Sequence, residues 1–370
     1  MTSPRLALRG LALVAGAALL LTGCVAGEGS DQADDAATDA ADGATSDATT
    51  DAATDAADGA DGAATEWSAD TLSIDWATYN PLSLVVKENH YLEDTLGDAV
   101  SVEWVQSAGS NKANEALRAG AIDVGSTAGS AALLARANGS PIHTIAIYSQ
   151  PEWSALVVPA GSDITSVADL KGKSVAVTKG TDPYFFLLQA LETAGLTADD
   201  ITIQNLQHAD GKAALENGSV DAWSGLDPLM AASEETAGST LIYRNIDFNT
   251  YGFLNATQDF LDASPDLAQI VVDAYAKAQE WAAENPDELV NLLAEAAQID
   301  PAVASTVITE RTNLEVSQVP GQAQLDVLTI VAPILVSNGD VATQDAVDDA
   351  LDTLIDPTFA EKADPSAITG

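Results

Sequence analysis

The sequence contains a single cysteine, Cys24, among its 370 residues. One thiol excludes an intrachain disulfide and any metal cluster built from cysteines. Bases are also scarce, because 14 Lys and Arg stand against 56 Asp and Glu, for a formal charge of −42. Such an excess of acid argues against binding nucleic acid and against lying flat on an anionic membrane. The three histidines, His90, His143 and His208, show no catalytic or metal-ligand spacing, so we expect each to be a surface or helix-capping residue.

The amino terminus has the pattern of an export signal. Arg5 and Arg9 precede an apolar run over residues 11–21, which is too short for a comfortable membrane span. The run ends in Leu-Thr-Gly-Cys at positions 21–24, which resembles the lipobox of bacterial lipoproteins. The resemblance implies a signal peptide over residues 1–23, cleavage before Cys24 and lipid attachment to its thiol. An uncleaved anchor or an ordinary signal peptide is the alternative.

The next segment predicts a disordered tether over residues 24–66, starting at the lipidated cysteine. Residues 28–66 contain 12 Asp or Glu and no Lys or Arg, and Asp-Ala-Ala-Thr-Asp-Ala-Ala-Asp-Gly-Ala occurs at 35–44 and again at 51–60. No large apolar residue follows residue 27 until Trp67, so the segment cannot form a core and its charges repel one another. We expect a spacer between the membrane and a folded domain.

A strand-turn-helix unit lies near the middle of the chain. Residues 174–178 are apolar and rich in β-branched side chains, 179–183 interrupt them, and apolar residues then recur at helical spacing up to Gly195. Thr181 or Asp182 can cap the predicted helix, Pro183 suits its first turn, and Gly195 suits the left-handed position after its end. The free N–H groups at such a helix start favour small anions or polar groups in the crevice beyond the strand.

Similar turns follow other predicted strands, at residues 78–81, 106–110 and 126–130, and they are rich in Ser, Thr, Gly and Asn. Helix capping alone selects these residue types, which is the alternative to a ligand-binding role. Capping accounts less well for the five small residues at 126–130, because these would let a ligand approach the backbone closely.

An internal repeat indicates two similar lobes. Residues 116–124 align with residues 214–222, with Ala-Leu, Gly and Asp in register. In each copy a helix closes on Gly120 or Gly218, and the following strand begins with an apolar residue and Asp123 or Asp221. Any α/β unit can end this way, but two copies in register favour an α/β chain of two lobes.

Four segments, taken in order, resemble the aliphatic sulfonate, taurine and nitrate substrate-binding proteins of ABC transporters. They are Leu-Arg-Ala-Gly-Ala-Ile-Asp at 117–123, Ser-Val-Ala-Asp-Leu-Lys-Gly-Lys-Ser-Val-Ala-Val at 166–177, Gly-Ser-Val-Asp-Ala-Trp at 218–223 with Asp-Pro at 227–228, and Trp-Ala-Ala-Glu-Asn-Pro-Asp-Glu at 281–288. The resemblance implies an α/β, periplasmic-binding-protein-like fold of type II, in which two crossing strands join two α/β lobes around a ligand cleft.

On this fold the expected first lobe comprises residues 67–158 and 251–370, and the second lobe comprises residues 159–250. The resemblance places residues 156–158 and 253–255 in the crossings. Helices predicted at 322–337 and 343–354 complete the set and are expected to pack on the first lobe.

The resemblance further implies that the strand-to-helix turns line the cleft and bind a small solute. The expected ligand-binding residues are Tyr79, Asn80, Ser107, Gly109, Ser110, Ser126, Thr127, Ser130, Trp153, Thr181, Asp182, Trp223 and Asp227. Trp153 and Trp223 could instead be core residues. Lys179 is the sole cation in these turns, while Glu152, Asp182 and Asp227 could meet an ammonium group, which suits a zwitterion such as taurine.

We therefore expect an extracytoplasmic solute-binding lipoprotein, without catalytic residues, metal or cofactor, that captures an aliphatic sulfonate, taurine or nitrate and delivers it to an ABC importer. The expected partners are the small-molecule ligand, the transporter permease and, through the lipid anchor, the outer face of the cell membrane; the protein is expected to be a monomer. One alternative is an enzyme, because the same two-lobed fold hosts catalysts. The others are an adhesin, a sensor domain, or a receptor for a neutral, pyrimidine-type solute.

Overall fold

The computed structural model describes residues 66–370. The predicted signal peptide, the lipidation of Cys24 and nearly all of the predicted tether lie outside these residues. In the described part, no helix combines the length and the apolar character needed to cross a membrane.

Ten strands form two separate five-stranded sheets. The strands are β1 (Thr71–Trp76), β2 (Ser101–Gln106), β3 (Val124–Ala128), β4 (Ile142–Ser149), β5 (Ser154–Val158), β6 (Ser174–Val177), β7 (Thr202–Asn205), β8 (Ala222–Leu226), β9 (Thr240–Tyr243) and β10 (Gly252–Thr257). The strand orders are β2-β1-β3-β10-β4 and β7-β6-β8-β5-β9. These sheets and their helices confirm the predicted α/β architecture of two lobes.

Thirteen α-helices are present in the part of the chain that the structure describes. They are α1 (Pro81–Glu88), α2 (Tyr91–Leu96), α3 (Ser110–Arg118), α4 (Gly129–Ala137), α5 (Asp182–Thr193), α6 (His208–Glu216), α7 (Leu229–Ala237), α8 (Gln258–Ala263), α9 (Pro265–Glu284), α10 (Pro286–Ala297), α11 (Pro301–Thr306), α12 (Gln322–Ser337) and α13 (Gln344–Thr353). A π-helical turn, Val307–Arg311, continues α11. Proline occupies the first turn of α1, α5, α9, α10 and α11, where its missing N–H has no intrahelical partner.

The chain passes between the two sheets twice. The first passage follows β4 at residues 150–153 and the second follows β9 at residues 244–251, and we call these the crossings. β5 pairs with β8 and with β9, so Leu156 and Val158 belong to the second sheet. The boundary between the lobes, expected after residue 158, therefore lies before β5. β10 likewise lies wholly in the first sheet, between β3 and β4.

The aspartates of the internal repeat have the same structural task in both lobes. An oxygen of the Asp123 carboxylate accepts a hydrogen bond from the backbone N–H of Ser73 in β1, at 2.8 Å. An oxygen of the Asp221 carboxylate accepts one from the N–H of Ser174 in β6, also at 2.8 Å. Each aspartate therefore bonds the middle strand, β1 or β6, of the three parallel strands in its sheet, and the repeat seen in the sequence reflects this shared bond.

The carboxyl-terminal helices pack on the first lobe as the sequence predicts, but α12 also reaches the second lobe. α12 and α13 pack on α4 of the first lobe, and α12 also contacts α5 of the second. Leu133 of α4, Leu187 of α5 and Leu328 of α12 consequently belong to one buried apolar cluster.

The helical segment that begins at Pro81 is broken into α1 and α2. Asn89 ends α1 and His90 adopts a left-handed conformation with φ of 55°, before α2 restarts at Tyr91. The apolar spacing continues through the break because both pieces pack on the same core, so periodicity alone could not reveal it.

Candidate functional site

A cavity of about 470 Å³ opens between the lobes, and both lobes line it. We call it the interlobe cavity. The first lobe contributes Trp76, Thr78, Tyr79, Gln106, Ser107, Ala108 and residues 296–299, and the second contributes Gln207, His208, Ala209 and residues 226–229. A solute held here would contact strand ends and helix starts of both lobes.

Tyr79 and Trp153 close the deep end of the interlobe cavity. Their rings meet edge to face with centroids 6.2 Å apart, and both side chains are buried. The Tyr79 hydroxyl donates to the carbonyl oxygen of Ser126 at 2.9 Å, which fixes the ring. Two voids beside this pair hold about 10 Å³ each, about one water molecule at most, so the solute space ends at these rings.

Asp182 ties the second lobe to the first lobe and to both crossings. Its carboxylate accepts hydrogen bonds from Ser130 Oγ at 2.6 Å, Trp153 Nε1 at 2.7 Å, and Thr250 N and Oγ1 at 2.8 Å each. Burial raises the pKa of Asp182, and the bonds from Ser130, Trp153 and Thr250 oppose that rise. Asp182, Ser130 and Trp153 were predicted to bind ligand, but here they satisfy one another.

A buried ion cluster stands at the wall between the interlobe cavity and the crossings. Arg311, at the end of the π-helical turn, places Nη1 3.2 Å from Asp227 Oδ2 and Nη2 2.6 Å from Glu234 Oε2. Burial raises the pKa of Asp227 to about 6, and the charge of Arg311 opposes this rise. The acid predicted to meet a ligand's ammonium group therefore has a cation of the protein itself as its partner.

Sequence reasoning missed Arg311, which is 84 positions from Asp227. No motif predicts that pairing, because the two residues lie on separate elements and meet only in the folded chain. One signal was available: Arg311 is the single Lys or Arg between Lys277 and Lys362.

Asp75, at the end of β1, is a second acid that the sequence did not single out. It is fully buried beneath the cavity, where its Oδ1 accepts from Ser126 N at 2.8 Å and from Ser126 Oγ at 2.9 Å. Burial raises the pKa of Asp75 to about 7, although the hydroxyls of Ser107 and Ser126 oppose the shift. Asp75 thus fixes Ser126, whose carbonyl oxygen accepts the hydrogen bond from the Tyr79 hydroxyl.

The predicted site residues fall into three groups. Tyr79, Ser107 and Asp227 line the interlobe cavity, and Ser110, Thr181 and Asp182 surround the void at its deep end together with Tyr79 and Trp153. Asn80, Ser126, Thr127 and Ser130 are buried in hydrogen bonds with the protein itself. Gly109 and Trp223 have other roles.

The five small residues at 126–130 serve packing. Most of them belong to β3, which runs to Ala128, three residues further than expected. A Cβ on Gly129 would lie 2.9 Å from Phe253 Cζ, so that position has room for a glycine only. Ser126, Thr127 and Ser130 form hydrogen bonds within the protein, so the composition of the segment does not require a ligand.

Trp223 is a core residue, so its predicted place in the cleft is wrong. Its side chain is fully buried in an apolar cluster with Leu215 and Met230, and its ring packs on Gly211 of α6. Side chains alternate along β8, and the next residue, Ser224, donates to the carbonyl of Pro183 in α5. Trp223 therefore faces α6 and α7, away from the cavity.

His208, interpreted from the sequence as a surface or capping residue, lies at the contact between the lobes. It is the first residue of α6, it is 2% exposed, and it lines the interlobe cavity. A Cβ on Gly109 of the first lobe would lie 2.9 Å from its Cδ2 and Nε2 atoms, so only a glycine lets the two lobes come this close.

A larger hollow of about 770 Å³ lies behind the crossings, between α9, α10 and residues 308–316. None of the predicted ligand-binding residues lines it. Its lining carries Glu152, Glu280, Glu310 and Glu315, and Glu152 is engaged by Arg244 at 2.6 Å. Apart from Gln150, Glu152 and Ile246 of the crossings, the lining of this hollow comes from the first lobe, which distinguishes it from the interlobe cavity.

Two proteins that are similar to this chain in sequence or structure have names that describe sulfonate binding. The chain is 29% identical over 250 residues to the aliphatic sulfonates-binding protein of Escherichia coli (strain K12), which covers 67% of this chain and 78% of that protein. The structure matches the alkanesulfonate-binding protein SsuA from Xanthomonas axonopodis pv. citri bound to MOPS, with 25% identity, a TM-score of 0.70 and coverage of 76% of this chain and 98% of that chain.

A third similar structure is the periplasmic aliphatic sulphonate binding protein SsuA from Escherichia coli, with 25% identity, a TM-score of 0.67 and coverage of 78% of this chain and 93% of that chain. A more distant one is the desulfurization enzyme DSZB, at 17% identity and a TM-score of 0.59, with coverage of 79% of this chain and 98% of that chain. That likeness concerns the fold alone, since a fold is shared by proteins of different function.

Residues 87–289, more than half of the chain, match the family described as NMT1/THI5 like. The matched segment begins in α1 and ends in α10, so it includes both crossings, the whole second sheet and His208, Asp182 and Asp227. The two-lobed α/β fold around an interlobe cavity agrees with this match, and so do the relatives, which are substrate-binding proteins. The chain belongs to the NMT1/THI5-like family.

Proposed function

We propose that this chain is an extracytoplasmic receptor that captures a small anionic or zwitterionic solute of the aliphatic sulfonate class and delivers it to the permease of an ABC importer. The observation that carries the proposal is the interlobe cavity of about 470 Å³, which both lobes line. A solute that contacts both lobes stabilises the closed arrangement by the contacts it lacks in an open one. The permease can then recognise the closed form.

The cavity walls favour an organic sulfonate over a bare inorganic ion. Trp76, Leu226 and Leu229 give the cavity apolar surface beside the polar helix starts. A relative is bound to MOPS, a sulfonic acid with a ring and a short alkyl chain. We infer that the alkyl part of the solute packs on these apolar side chains and that its charged group meets the polar end.

Titration calorimetry of the purified full chain tests the proposal. Ethanesulfonate, taurine, MOPS, nitrate and a pyrimidine are titrated separately at pH 7. We expect one sulfonate bound per chain and a rise in melting temperature, because a ligand that binds only the folded state stabilises it by about 2.7 kcal/mol at 100 times its Kd. Absence of heat and of any melting shift with all three sulfonates would rule out the proposed class.

The rival enzymatic role is tested in the same samples. After prolonged incubation with the protein, mass spectrometry should recover the bound sulfonate unchanged, whereas a catalyst would convert it. The proposed anchor is tested separately: a Cys24→Ser variant expressed in a bacterium that lipidates such proteins should leave the membrane fraction, while the unaltered chain stays in it.

A further inference from the structure

His208 marks a tight contact between the two lobes. It is the first residue of α6 in the second lobe, and a Cβ on Gly109, just before α3 of the first lobe, would lie 2.9 Å from its Cδ2 and Nε2 atoms. Asn111 Nδ2 of the first lobe lies 3.4 Å from Gln207 Oε1 of the second. We call this arrangement, with the lobes in contact, the closed one. Movement of the lobes apart would part His208 from Gly109 and expose the ring to water.

The ring of His208 is sealed in this contact with neither nitrogen bonded. The residue is 2% exposed, and both Nδ1 and Nε2 are buried without a hydrogen-bond partner. A neutral ring leaves one donor and one acceptor unsatisfied, but a protonated ring would bury a positive charge and two N–H donors that have no acceptor. Burial lowers the pKa of His208 to about 4, and burial is the sole cause of that shift.

The charged residues of the surrounding elements do not offset this penalty. α6 packs on β6, β8 and α7, and its first residue meets the start of α3. In the part of the chain that the structure describes, β6 carries no charge, and the charged side chains of the other elements and their ends have partners of their own or are exposed. Asp227 and Glu234 bind Arg311, Asp221 bonds Ser174, Lys112 pairs with Glu115 and Lys212 with Glu216, and Arg118, Asp210 and Glu235 are exposed.

The acids that join the lobes respond to pH in the opposite sense. Asp227 pairs with Arg311 of the first lobe, and Asp182 accepts a bond from Ser130 of the first lobe. Burial raises the pKa of both acids, that of Asp227 to about 6, so the closed arrangement holds their protons more firmly than water does. Acid acting through them favours closure, whereas acid acting through His208 favours opening. The direction of movement therefore identifies the responsible group.

We propose that the contact between His208 and Gly109 is an acid-sensitive latch, in which proton uptake by the His208 ring opens the lobes and releases the solute. The closed arrangement has no acceptor for the second ring N–H, whereas water supplies one once the lobes separate. Mild acid therefore shifts the population from closed to open. The release of a solute rests on the proposed function, but the opening of the lobes does not.

The first arm of the test measures the distance between the lobes in the full chain without ligand. Spin labels are attached at two exposed positions, Arg118→Cys in α3 and Ala213→Cys in α6, in a Cys24→Ser background, and pulsed electron resonance gives their distances at pH 7 and pH 5. We expect longer distances to gain population at pH 5. His208→Phe, whose ring takes up no proton, should keep the same distances at both pH values, and His208→Leu replaces it if it does not fold by circular dichroism.

The second arm is titration calorimetry with ethanesulfonate, whose own charge does not change between pH 7 and pH 5. We expect the Kd of the unaltered chain to rise roughly 10- to 30-fold at pH 5, as a histidine pKa that falls from about 6.5 to about 4 on closure requires. The Kd of His208→Phe should change less than twofold. His90→Asn, at an exposed position where asparagine tolerates the left-handed backbone, is the control and should respond like the unaltered chain.

Two results overturn the latch. One is the same pH response in His208→Phe and the unaltered chain, in distance or in Kd. The other is a shift of the unaltered chain to shorter distances in acid, which would assign the response to Asp182 and Asp227. Either leaves the proposed function standing if ethanesulfonate binds at pH 7. If no sulfonate binds, the proposed function fails, and the distances at pH 5 in the unaltered chain and in His208→Phe still decide the latch.

Discussion

The two lobes share a strand order but present different chemistry to each other. Each sheet contains three adjacent parallel strands, β2-β1-β3 or β7-β6-β8, and the strand that follows a crossing, β10 or β5, is antiparallel to both of its neighbours. The first lobe presents the hydroxyls of Ser107, Ser110 and Ser130, whereas the second presents acids and His208.

The difference arises at the ends of equivalent strands. Ile74 of β1 pairs with Val124, and Val175 of β6 pairs with Ala222, so the next residues, Asp75 and Ala176, occupy corresponding positions. One lobe has a buried acid where the other has a methyl group. The shared scaffold fixes where strands end, and function depends on which side chains stand there.

The largest expected effect concerns Asp227 and Glu234 of the second lobe, whose charges are neutralised by Arg311 of the first lobe. Arg311→Met leaves Asp227 buried without a counter-charge, with only the Ala231 N–H still donating to it, so we expect the free energy of unfolding at pH 8 to fall by about 4 kcal/mol in urea denaturation. The loss should be smaller at pH 5, because protonation of Asp227 removes the uncompensated charge. The control is Arg244→Met, whose pair with Glu152 has an Arg side chain that is 42% exposed and should contribute less than about 1 kcal/mol. Equal losses would contradict the buried cluster.

The second effect concerns the bonds that join the lobes at Asp182. Asp182→Ala leaves Ser130 Oγ, Trp153 Nε1 and the Thr250 N–H without their acceptor, and we expect a loss of about 3 kcal/mol of unfolding free energy. Asp169→Ala is the matched control, because Asp169 accepts a similar set of bonds from Thr165 and Ser166 at an exposed position. An equal loss in the control would show that Asp182 has no special linking role.

The third effect is the pH dependence that Asp75 of the first lobe contributes to stability. The pKa of Asp75 is raised to about 7, above its ordinary value near 4, so between these pH values the folded state holds this proton more firmly than the unfolded state. Raising the pH from 4 to 8 therefore removes stability from the unaltered chain. Asp75→Asn cannot lose a proton, so its stability relative to the unaltered chain should rise with pH, by on the order of 2 kcal/mol between pH 5 and pH 7. Denaturation midpoints at pH 5 and pH 7 measure this, and exposed Asp70→Asn should show no such trend.

The smallest effect tests the likeness of the lobes. Asp123→Ala removes one bond from the backbone of β1, and Asp221→Ala removes one from the backbone of β6 together with a bond from the Ser174 hydroxyl, so each should cost about 1 kcal/mol in denaturation. Similar losses would support a shared structural task. A loss in one variant alone would mean that the repeated aspartate stabilises only one of the two sheets.

Local patterns predicted the parts of the fold that local physics determines. The strand-turn-helix unit around Pro183 appears as β6 and α5, and Gly195 has the expected left-handed backbone with φ of 67°. The repeat at Asp123 and Asp221 predicted two similar lobes because the same helix-to-strand junction recurs in each.

The candidate site was predicted less completely, because its contacts join distant parts of the chain. Small residues at 126–130 suit a ligand or a neighbouring side chain equally well, and only the packing of Gly129 on Phe253 distinguishes the two. Arg311 and His208 carry no motif, and their roles arise from tertiary contacts with Asp227 and Gly109.

Hydrogen exchange measured by mass spectrometry, with and without saturating ethanesulfonate, tests most directly whether a solute is enclosed between the lobes. We predict that backbone N–H groups at residues 106–111 of the first lobe and 207–211 of the second become protected together, while residues 308–310 and 312–316 beside the larger hollow do not change. Protection confined to one lobe, or to the hollow behind the crossings, would contradict this account.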